Sequence, residues 1–164
     1  MSKYYIDIHP EKCTACRICE LACSLHHHGE INPAKSRIKV NIFHEDFFFY
    51  PNVCSQCEEA WCVNICPNTA LSKDRITGVV SLDEARCVGC RMCIQACPFG
   101  AMGFDGDKGI SEKCDLCGGD PECVKSCFYG ALEFKRLETA VADRGRNFAQ
   151  KRKLPHVEEA THEA

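Results

Sequence analysis

Hydrophobic and polar residues alternate along residues 38–50, and this alternation predicts β-strands. Ile38, Val40 and Ile42 are separated by polar residues, and a second apolar stretch at residues 47–50 follows a short polar turn. A period of two places alternate side chains on the same face of a strand. The segment therefore predicts a two-stranded ribbon with one buried face.

A second hairpin is predicted within residues 72–86. The apolar residues Ile76, Val79, Val80 and Leu82 surround Gly78, and glycine suits the tight turn of a hairpin. The end of this hairpin leads directly into residue 87. We therefore expect a short antiparallel pair of strands with its turn at Gly78.

Three further segments share a pattern of small residues that ends on an apolar residue. Residues 66–71, 97–102 and 127–132 each predict the end of a helix, then a turn, then a short strand. Gly100 and Gly130 suit the left-handed conformation with which a chain leaves a helix. The chain thus contains an internal repeat.

Cysteines explain the repeat, because each copy follows a run of four. The chain has sixteen cysteines among 164 residues, and none lies outside the runs. The first and third runs have the spacing C-x2-C-x2-C-x3-C of bacterial ferredoxins, and the second and fourth have a longer middle gap. The runs are Cys13, Cys16, Cys19 and Cys23; Cys54, Cys57, Cys62 and Cys66; Cys87, Cys90, Cys93 and Cys97; and Cys114, Cys117, Cys123 and Cys127.

This spacing is typical of 4Fe-4S clusters. A cube of four irons needs one thiolate per iron, and gaps of two residues let three sulfurs from one short loop point inward. In ferredoxins with two clusters, the fourth cysteine of a run binds the other cluster, because the three-residue gap begins a helix. The four runs therefore predict four 4Fe-4S clusters in two pairs.

Two other uses of cysteine compete with this interpretation. Disulfide-rich scaffolds are small and secreted, whereas this sequence starts without the apolar stretch of a signal peptide. Structural zinc also uses C-x2-C pairs, but its second pair normally lies a dozen or more residues away. Four cysteines within eleven to fourteen residues favour iron–sulfur clusters over both.

The pairing of the runs follows from neighbouring sequence features. The second and third runs are adjacent in sequence, and a proline follows the last cysteine of each, Pro67 or Pro98. Pairing these two leaves the first run with the fourth. We therefore predict an α+β fold in which two pseudo-symmetric two-cluster ferredoxin-like modules form one small cluster-stabilised domain with an inserted β-ribbon. This domain spans residues 1–134, and residues 135–164 form a charged tail.

Charge adds a second set of candidate residues. The formal net charge is −3, but four oxidised cubes with their thiolates would add about −8, so basic residues are expected nearby. Five basic residues lie next to cysteines of the runs, whereas Val53 precedes the second run. The candidate cofactor-binding residues are Lys12, Arg17, Arg86, Arg91 and Lys113.

Other side chains have less specific interpretations. The histidines at 26–28 could be metal ligands or a proton relay, but no cysteine is left for them to complement, so the run before a glycine favours an exposed loop. Trp61 is expected to cover its cluster from water. The phenylalanines at 47–49 cannot all face inward on a strand, so at least one is expected at a cluster edge or a subunit interface.

Composition excludes some partners. The chain is slightly acidic and has no basic stripe with interleaved aromatic residues, so we expect no nucleic-acid partner. No uncharged apolar stretch approaches eighteen residues, so we expect no direct membrane insertion. We therefore expect a cytoplasmic protein that is soluble or attached through another subunit.

With these features in view, residues 1–134 resemble the four-cluster iron–sulfur subunits that accompany tungsten- and molybdenum-pterin oxidoreductases, some hydrogenases and some carbon monoxide dehydrogenases. In that family the first run shares two clusters with the fourth, and the second shares two with the third. The resemblance implies four ligand sets: Cys13, Cys16, Cys19 with Cys127; Cys114, Cys117, Cys123 with Cys23; Cys54, Cys57, Cys62 with Cys97; and Cys87, Cys90, Cys93 with Cys66.

The segments at residues 19–25 and 32–38 look most like the small subunits of tungsten aldehyde oxidoreductases and their benzoyl-coenzyme A reductase relatives. This resemblance implies a catalytic tungsten- or molybdenum-pterin subunit as one partner, and a flavin subunit or a soluble ferredoxin as the other. We find no catalytic constellation apart from the cysteines, so we expect a non-catalytic electron carrier. The alternatives are a free soluble polyferredoxin and an electron-transfer subunit of a hydrogenase, a carbon monoxide dehydrogenase or a molybdopterin oxidoreductase.

Overall fold

Short strands and helices alternate around the four cysteine runs. A computed structural model describes residues 4–136 of the chain. Its α-helices are α1 (Ile18–His28), α2 (Trp61–Asn64), α3 (Met92–Ala96) and α4 (Glu122–Lys125). Its strands are β1 (Tyr4–Ile8), β2 (Lys39–Phe43), β3 (Phe48–Asn52), β4 (Leu71–Lys73), β5 (Val80–Leu82), β6 (Met102–Asp105), β7 (Ile110–Lys113) and β8 (Leu132–Arg136).

The strands pair into antiparallel, two-stranded sheets. Strands β2 and β3, β4 and β5, and β6 and β7 are hairpins of neighbouring strands. Strand β1 pairs with β8, so that Tyr4 lies opposite Arg136 and Ile8 opposite Leu132. This last pair places the segment before the first run beside the segment after the fourth. The described part of the chain is thus a small α+β domain.

The β2–β3 ribbon is covered less fully than its pattern suggests. Val40 and Ile42 are half-buried on one face, whereas Lys39, Asn41 and Phe43 are exposed. In the adjoining turn, Phe47 adopts a left-handed φ of 50° and is 83% exposed. The ribbon therefore keeps one face on the domain and leaves large apolar side chains in solvent.

The hairpin predicted around Gly78 has a longer turn than expected. Its strands are β4 and β5, and the predicted strand residue Ile76 lies in the turn, 73% exposed. The reason is Asp74, whose carboxylate Oδ1 accepts hydrogen bonds from the N–H groups of Ile76 and Thr77 at 2.8 and 2.6 Å. Its carbonyl also accepts from the N–H of Gly78, which has a φ of 72°. A side chain thus organises the turn.

Left-handed residues mark the predicted helix exits. Gly100 and Gly130 have φ values of 60° and 66°, and Thr69 occupies the corresponding place after the second run with a φ of 48°. The first run differs, because α1 is eleven residues long. It ends at His28, and Gly29 caps it.

The buried apolar residues form two clusters. The larger contains residues from the first and fourth runs together with Ile6, Ile38 and Leu132, and the smaller contains Leu71 and Val80 beside the second and third runs. Helix α1 packs against α4, and α2 packs against α3. Cysteines are part of both clusters, so groups bound to them would complete the interior. Beyond Arg136, the predicted charged tail lies outside the described residues.

Candidate metal centres

All four cysteine runs share one backbone feature. The residue directly before the second cysteine has a left-handed φ in each run: 55° at Ala15, 50° at Gln56, 68° at Gly89 and 59° at Leu116. Such a conformation is uncommon for residues other than glycine and is retained where the surroundings require it. Its recurrence at equivalent positions indicates that each loop curls so that its closely spaced cysteines surround a common centre.

Glycine is required at this position in the third run. A Cβ atom at Gly89 would lie 2.2 Å from the carbonyl oxygen of Gly109, in the turn between β6 and β7. The loop of the third run therefore packs backbone to backbone against this hairpin.

The first hollow between these loops contains cysteines from two distant runs. Cys13, Cys16 and Cys19 line it together with Cys127, which follows α4. The hollow encloses about 340 Å³, including its opening to solvent. The packing of α1 on α4 brings Cys127 to this position.

Two further hollows of similar size repeat the arrangement. One encloses about 390 Å³ and is lined by Cys54, Cys57, Cys62 and Cys97. The other encloses about 310 Å³ and is lined by Cys87, Cys90, Cys93 and Cys66. In each, three thiols come from one run and the fourth from its partner run.

The remaining cysteines form a more deeply buried group. Burial, followed by the neighbouring thiols of Cys114, Cys23 and Cys117, raises the pKa of Cys123 well above its usual range. Burial likewise raises the pKa of Cys114 to about 12. Cys23 of the first run thus lies near the thiols of the fourth run.

The chemistry of these sets fits metal clusters. All sixteen cysteines are free thiols. Burial raises the pKa of Cys19 to about 12, so an empty site would hold neutral thiols. Backbone N–H groups nevertheless approach several sulfurs, at 3.2 Å from Ala131 to Cys127 and 3.3 Å from Ala70 to Cys66. Buried thiols with aligned N–H donors suit thiolates that carry their charge into a metal cluster.

The five basic candidates have different surroundings. Lys12 and Arg17 line the first hollow, and Arg17 also donates to Glu20 at 2.7 Å. Arg86 donates a hydrogen bond to Thr69, and the guanidinium carbon of Arg91 lies 3.8 Å from the centre of the Phe104 ring. These four side chains lie at the surface.

Lys113 is the exception, because its side chain is buried. The residue is only 3% exposed, and its ammonium donates to the carbonyl oxygens of Val80 and Cys114 at 2.5 and 2.6 Å. The amide oxygen of Gln56 lies 3.4 Å away. Within residues 4–136, the hydrogen-bond acceptors of this ammonium are all uncharged oxygens. The positive charge thus lies between the second and fourth runs without a counterion of its own.

Two buried polar residues in the runs have structural roles that sequence reasoning missed. Gln56 donates to the carbonyl of Cys114 at 2.9 Å and accepts from the N–H of Val80 at 3.0 Å. Glu20, 1% exposed, accepts from the N–H of Val40 at 2.7 Å and thereby joins α1 to the ribbon. The sequence contains one sign of these two roles. Each residue is polar and lies inside a cysteine run, where a small apolar residue would suffice.

The expectation that the three histidines form an exposed loop is wrong. They make the last turn of α1, and helical geometry directs two of them inward. His27 Nε2 lies 3.5 Å from a carboxylate oxygen of Asp115, and His28 Nε2 lies 3.0 Å from one of Glu112. Burial, and then the charge of Arg37, lower the pKa of His27 to about 4.

The aromatic residues singled out from sequence lie at the surface. Trp61, at the start of α2, lines the hollow of the second run and is 49% exposed. Phe48 is 44% exposed and Phe49 is half-buried, so the three phenylalanines point in different directions.

The helices within residues 4–136 are too short or too polar to span a membrane.

Comparisons with known proteins match the chain to iron–sulfur proteins. A family model described as a 4Fe-4S dicluster domain matches residues 45–137, and one described as a 4Fe-4S binding domain matches residues 10–25. The chain is 43% identical over 142 residues to the polyferredoxin-like subunit of aliphatic sulfonate oxidoreductase from Pyrococcus furiosus, covering 84% of this chain and 79% of that protein. It is 32% identical over 160 residues to the thiosulfate reductase electron transfer subunit PhsB from Salmonella typhi, covering 88% and 82%.

A solved structure is similar as well. A chain of the active site complex BamBC of benzoyl-coenzyme A reductase superposes with a TM-score of 0.51 at 28% sequence identity, covering 92% of this chain and 91% of that one.

Proposed function

Because this chain belongs to the 4Fe-4S dicluster family, we propose that it is the electron-transfer iron–sulfur subunit of an oxidoreductase complex. The observation that carries the proposal is that twelve of the sixteen free thiols line three hollows in sets of four, while the other four interact electrostatically around Cys123. When bound, each 4Fe-4S cluster accepts and releases one electron. The residues of the chain hold the clusters, tune their environments and keep them within reach of one another.

We assign the ligands in crossed sets. The lining of three hollows supports the sets of Cys127 with the first run, Cys97 with the second and Cys66 with the third. The electrostatic coupling of Cys123 to Cys23 supports the fourth. This scheme requires four 4Fe-4S clusters.

The same contacts support two pseudo-symmetric modules. The pairing of β1 with β8 and the packing of α1 on α4 unite the first and fourth runs. The packing of α2 on α3 and the hairpin of β4 and β5 unite the second and third. We interpret the β2–β3 ribbon as an insertion between the modules, and we place the end of the cluster domain near residue 134.

The contacts between sets also suggest an order along the chain of clusters. The thiol of Cys19 is close enough to Cys123 to raise its pKa, and that of Cys54 has the same effect on Cys114. The fourth set therefore lies between the first and the second, and the third set is next to the second. Cys16 and Cys90 are the two exposed cysteines. We propose the order first, fourth, second, third, with electrons entering and leaving at the two exposed ends.

We propose a catalytic subunit as the partner at one end. The relatives are electron-transfer subunits of sulfonate and thiosulfate enzymes, and the structural neighbour belongs to a benzoyl-coenzyme A reductase complex. A tungsten- or molybdenum-pterin subunit fits this set, with a flavin subunit or a soluble ferredoxin at the other end. The exposed Phe47 and Phe48 supply apolar area for such a contact. Free cysteines throughout fit a reducing compartment such as the cytoplasm.

Purification from the native cell under anaerobic conditions tests this proposal. We expect the tagged chain to bring down a stoichiometric catalytic subunit containing tungsten or molybdenum, and Phe47→Ser or Phe48→Ser to reduce its recovery. Ile76→Ser, which changes an apolar residue that is 73% exposed in another turn, is the matched control. A chain that copurifies with nothing would instead be a free polyferredoxin, and nickel in the complex would indicate a hydrogenase or a carbon monoxide dehydrogenase.

A further inference from the structure

Three acid–base side chains meet away from the cysteines, where the end of α1 packs against the β6–β7 hairpin. Glu112 on β7 lies opposite Gly103 on β6, and Asp105 is two residues farther along β6. Residues two apart on a strand share a face, so Asp105 and Glu112 point to the same side. His28, the last residue of α1, completes the group.

All three side chains are buried. Asp105 is 6% exposed, and the side chains of His28 and Glu112 are 8% and 10% exposed. One ligand atom from each residue lies within 4.8 Å of the others. His28 Nε2 is buried 3.0 Å from Glu112 Oε1, yet this contact lacks the alignment of a hydrogen bond. Buried polar atoms normally have a hydrogen-bond partner, so the misaligned contact requires an explanation.

The negative charge of the group is only partly offset by cations that lie beyond ion-pairing distance, Lys108 acting on Asp105 and Lys39 on Glu112. Two carboxylates beside one imidazole carry a net charge of −1 or −2, depending on the protonation of His28. The nearby lysines have other partners, since Lys108 pairs with Glu84 at 2.9 Å and Lys35 with Asp107 at 2.6 Å. Within residues 4–136, His28 is the only cationic side chain within ion-pairing distance of Glu112. The carboxyl end of α1 adds further negative potential here.

We propose that His28, Asp105 and Glu112 bind one divalent first-row transition-metal ion. An imidazole nitrogen and two carboxylates are donors that such ions accept, in contrast to the thiolates of the cysteine sets. The 3.0 Å between His28 Nε2 and Glu112 Oε1 matches two ligands that each lie about 2.1 Å from an ion at a right angle. Water would occupy the remaining positions. The ion would join α1 of one module to the β6–β7 hairpin of the other.

The chain contains a matched control for this site. Asp105 Oδ1 also accepts from the N–H groups of Asp107 and Lys108, and Asp74 makes the same turn contacts between β4 and β5. Asp74 is therefore a turn residue without a histidine and a glutamate beside it. Replacing it tests the turn function of such an aspartate apart from metal binding.

Titration of the cluster-loaded chain with Mn²⁺ tests the proposal. Oxidised 4Fe-4S clusters are silent in electron paramagnetic resonance, so the loss of the free Mn²⁺ signal counts bound ions. We expect one saturable ion per chain, which Zn²⁺ displaces at lower concentration. The variants His28→Gln and Glu112→Gln should each weaken binding by tenfold or more with unchanged iron content, whereas Asp74→Asn should leave it unaltered.

Two results would overturn the proposal. If the wild-type chain binds no saturable Mn²⁺ or Zn²⁺, the three residues form a buried ion pair only. If it binds one ion that both variants retain, the ion lies elsewhere. Because the readout is ion stoichiometry, either result is independent of whether the chain copurifies with a catalytic subunit.

Discussion

The buried ammonium of Lys113 should raise the reduction potentials of the two clusters nearest to it. Its donors contact the carbonyl of Cys114 and the amide of Gln56, a residue between two cysteines of the second run. Methionine has a similar length and shape but no charge. Lys113→Met should therefore lower the potentials of the clusters of the second and fourth runs, because reduction adds negative charge that the lysine stabilises.

The magnitude follows from Coulomb's law. A unit charge about 8 Å from a cluster, in an effective dielectric constant of about 20, contributes roughly 2 kcal/mol. For a one-electron couple, in which 59 mV corresponds to a tenfold change, this equals about 90 mV. The variant should also lose some stability, about 1 to 3 kcal/mol for each carbonyl left without a donor.

An anaerobic redox titration followed by electron paramagnetic resonance measures these potentials. Two of the four midpoint potentials should fall by about 90 mV, and the other two should change little. Lys12→Met is the matched control, because Lys12 occupies the same place before the first run but its side chain is 46% exposed. Solvent and salt screening should keep its effect below about 20 mV. Iron analysis must first show that both variants keep their clusters.

Two results would refute this reasoning about Lys113. One is a shift below about 20 mV at every cluster in Lys113→Met, which would mean that the charge is screened despite its burial. The other is an equal shift in the Lys12 variant, which would mean that burial does not distinguish the two lysines.

Three further predictions concern the crossed ligands, the anchor at Glu20 and the effect of pH on iron release. Cys127→Ser should alter the cluster of the first run and Cys97→Ser that of the second, as resolved by their spectra; an effect confined to the variant's own run would contradict crossed ligation. Glu20→Gln should destabilise the chain by about 1 to 3 kcal/mol in thermal unfolding, because Val40 loses a charged acceptor, and an unchanged midpoint would argue against this anchor. Burial raises the pKa of Cys19 and Cys114 to about 12, so their protons compete with iron increasingly as the pH falls. A chelator should then remove iron faster at pH 6 than at pH 8, and equal rates would contradict this.

The features that sequence analysis anticipated depend on local spacing. The gaps between cysteines, the alternation at Val40 and Ile42, and the glycines at 100 and 130 act through neighbours in sequence, so their structural meaning can be read directly. The relatives confirm the prediction of an iron–sulfur electron-transfer subunit.

The features that it missed depend on packing between distant segments. The sequence predicted an exposed loop at His28, and only the structure reveals that Glu112 of the β6–β7 hairpin lies beside it. Lys113 was one of five similar basic residues, and only its position between two runs distinguishes it from the four at the surface. Contacts between residues so far apart in the sequence leave no periodic pattern or fixed spacing from which they could be predicted.

Iron and acid-labile sulfide analysis of the anaerobically purified chain tests the central claim most directly. Four cubes held by sixteen cysteines predict about sixteen irons and sixteen sulfides per chain, with no stoichiometric zinc in the cysteine sets. About twelve irons would mean that one of the four sets holds no cube. Zinc in place of iron, or cysteines paired in disulfides, would contradict the account as a whole.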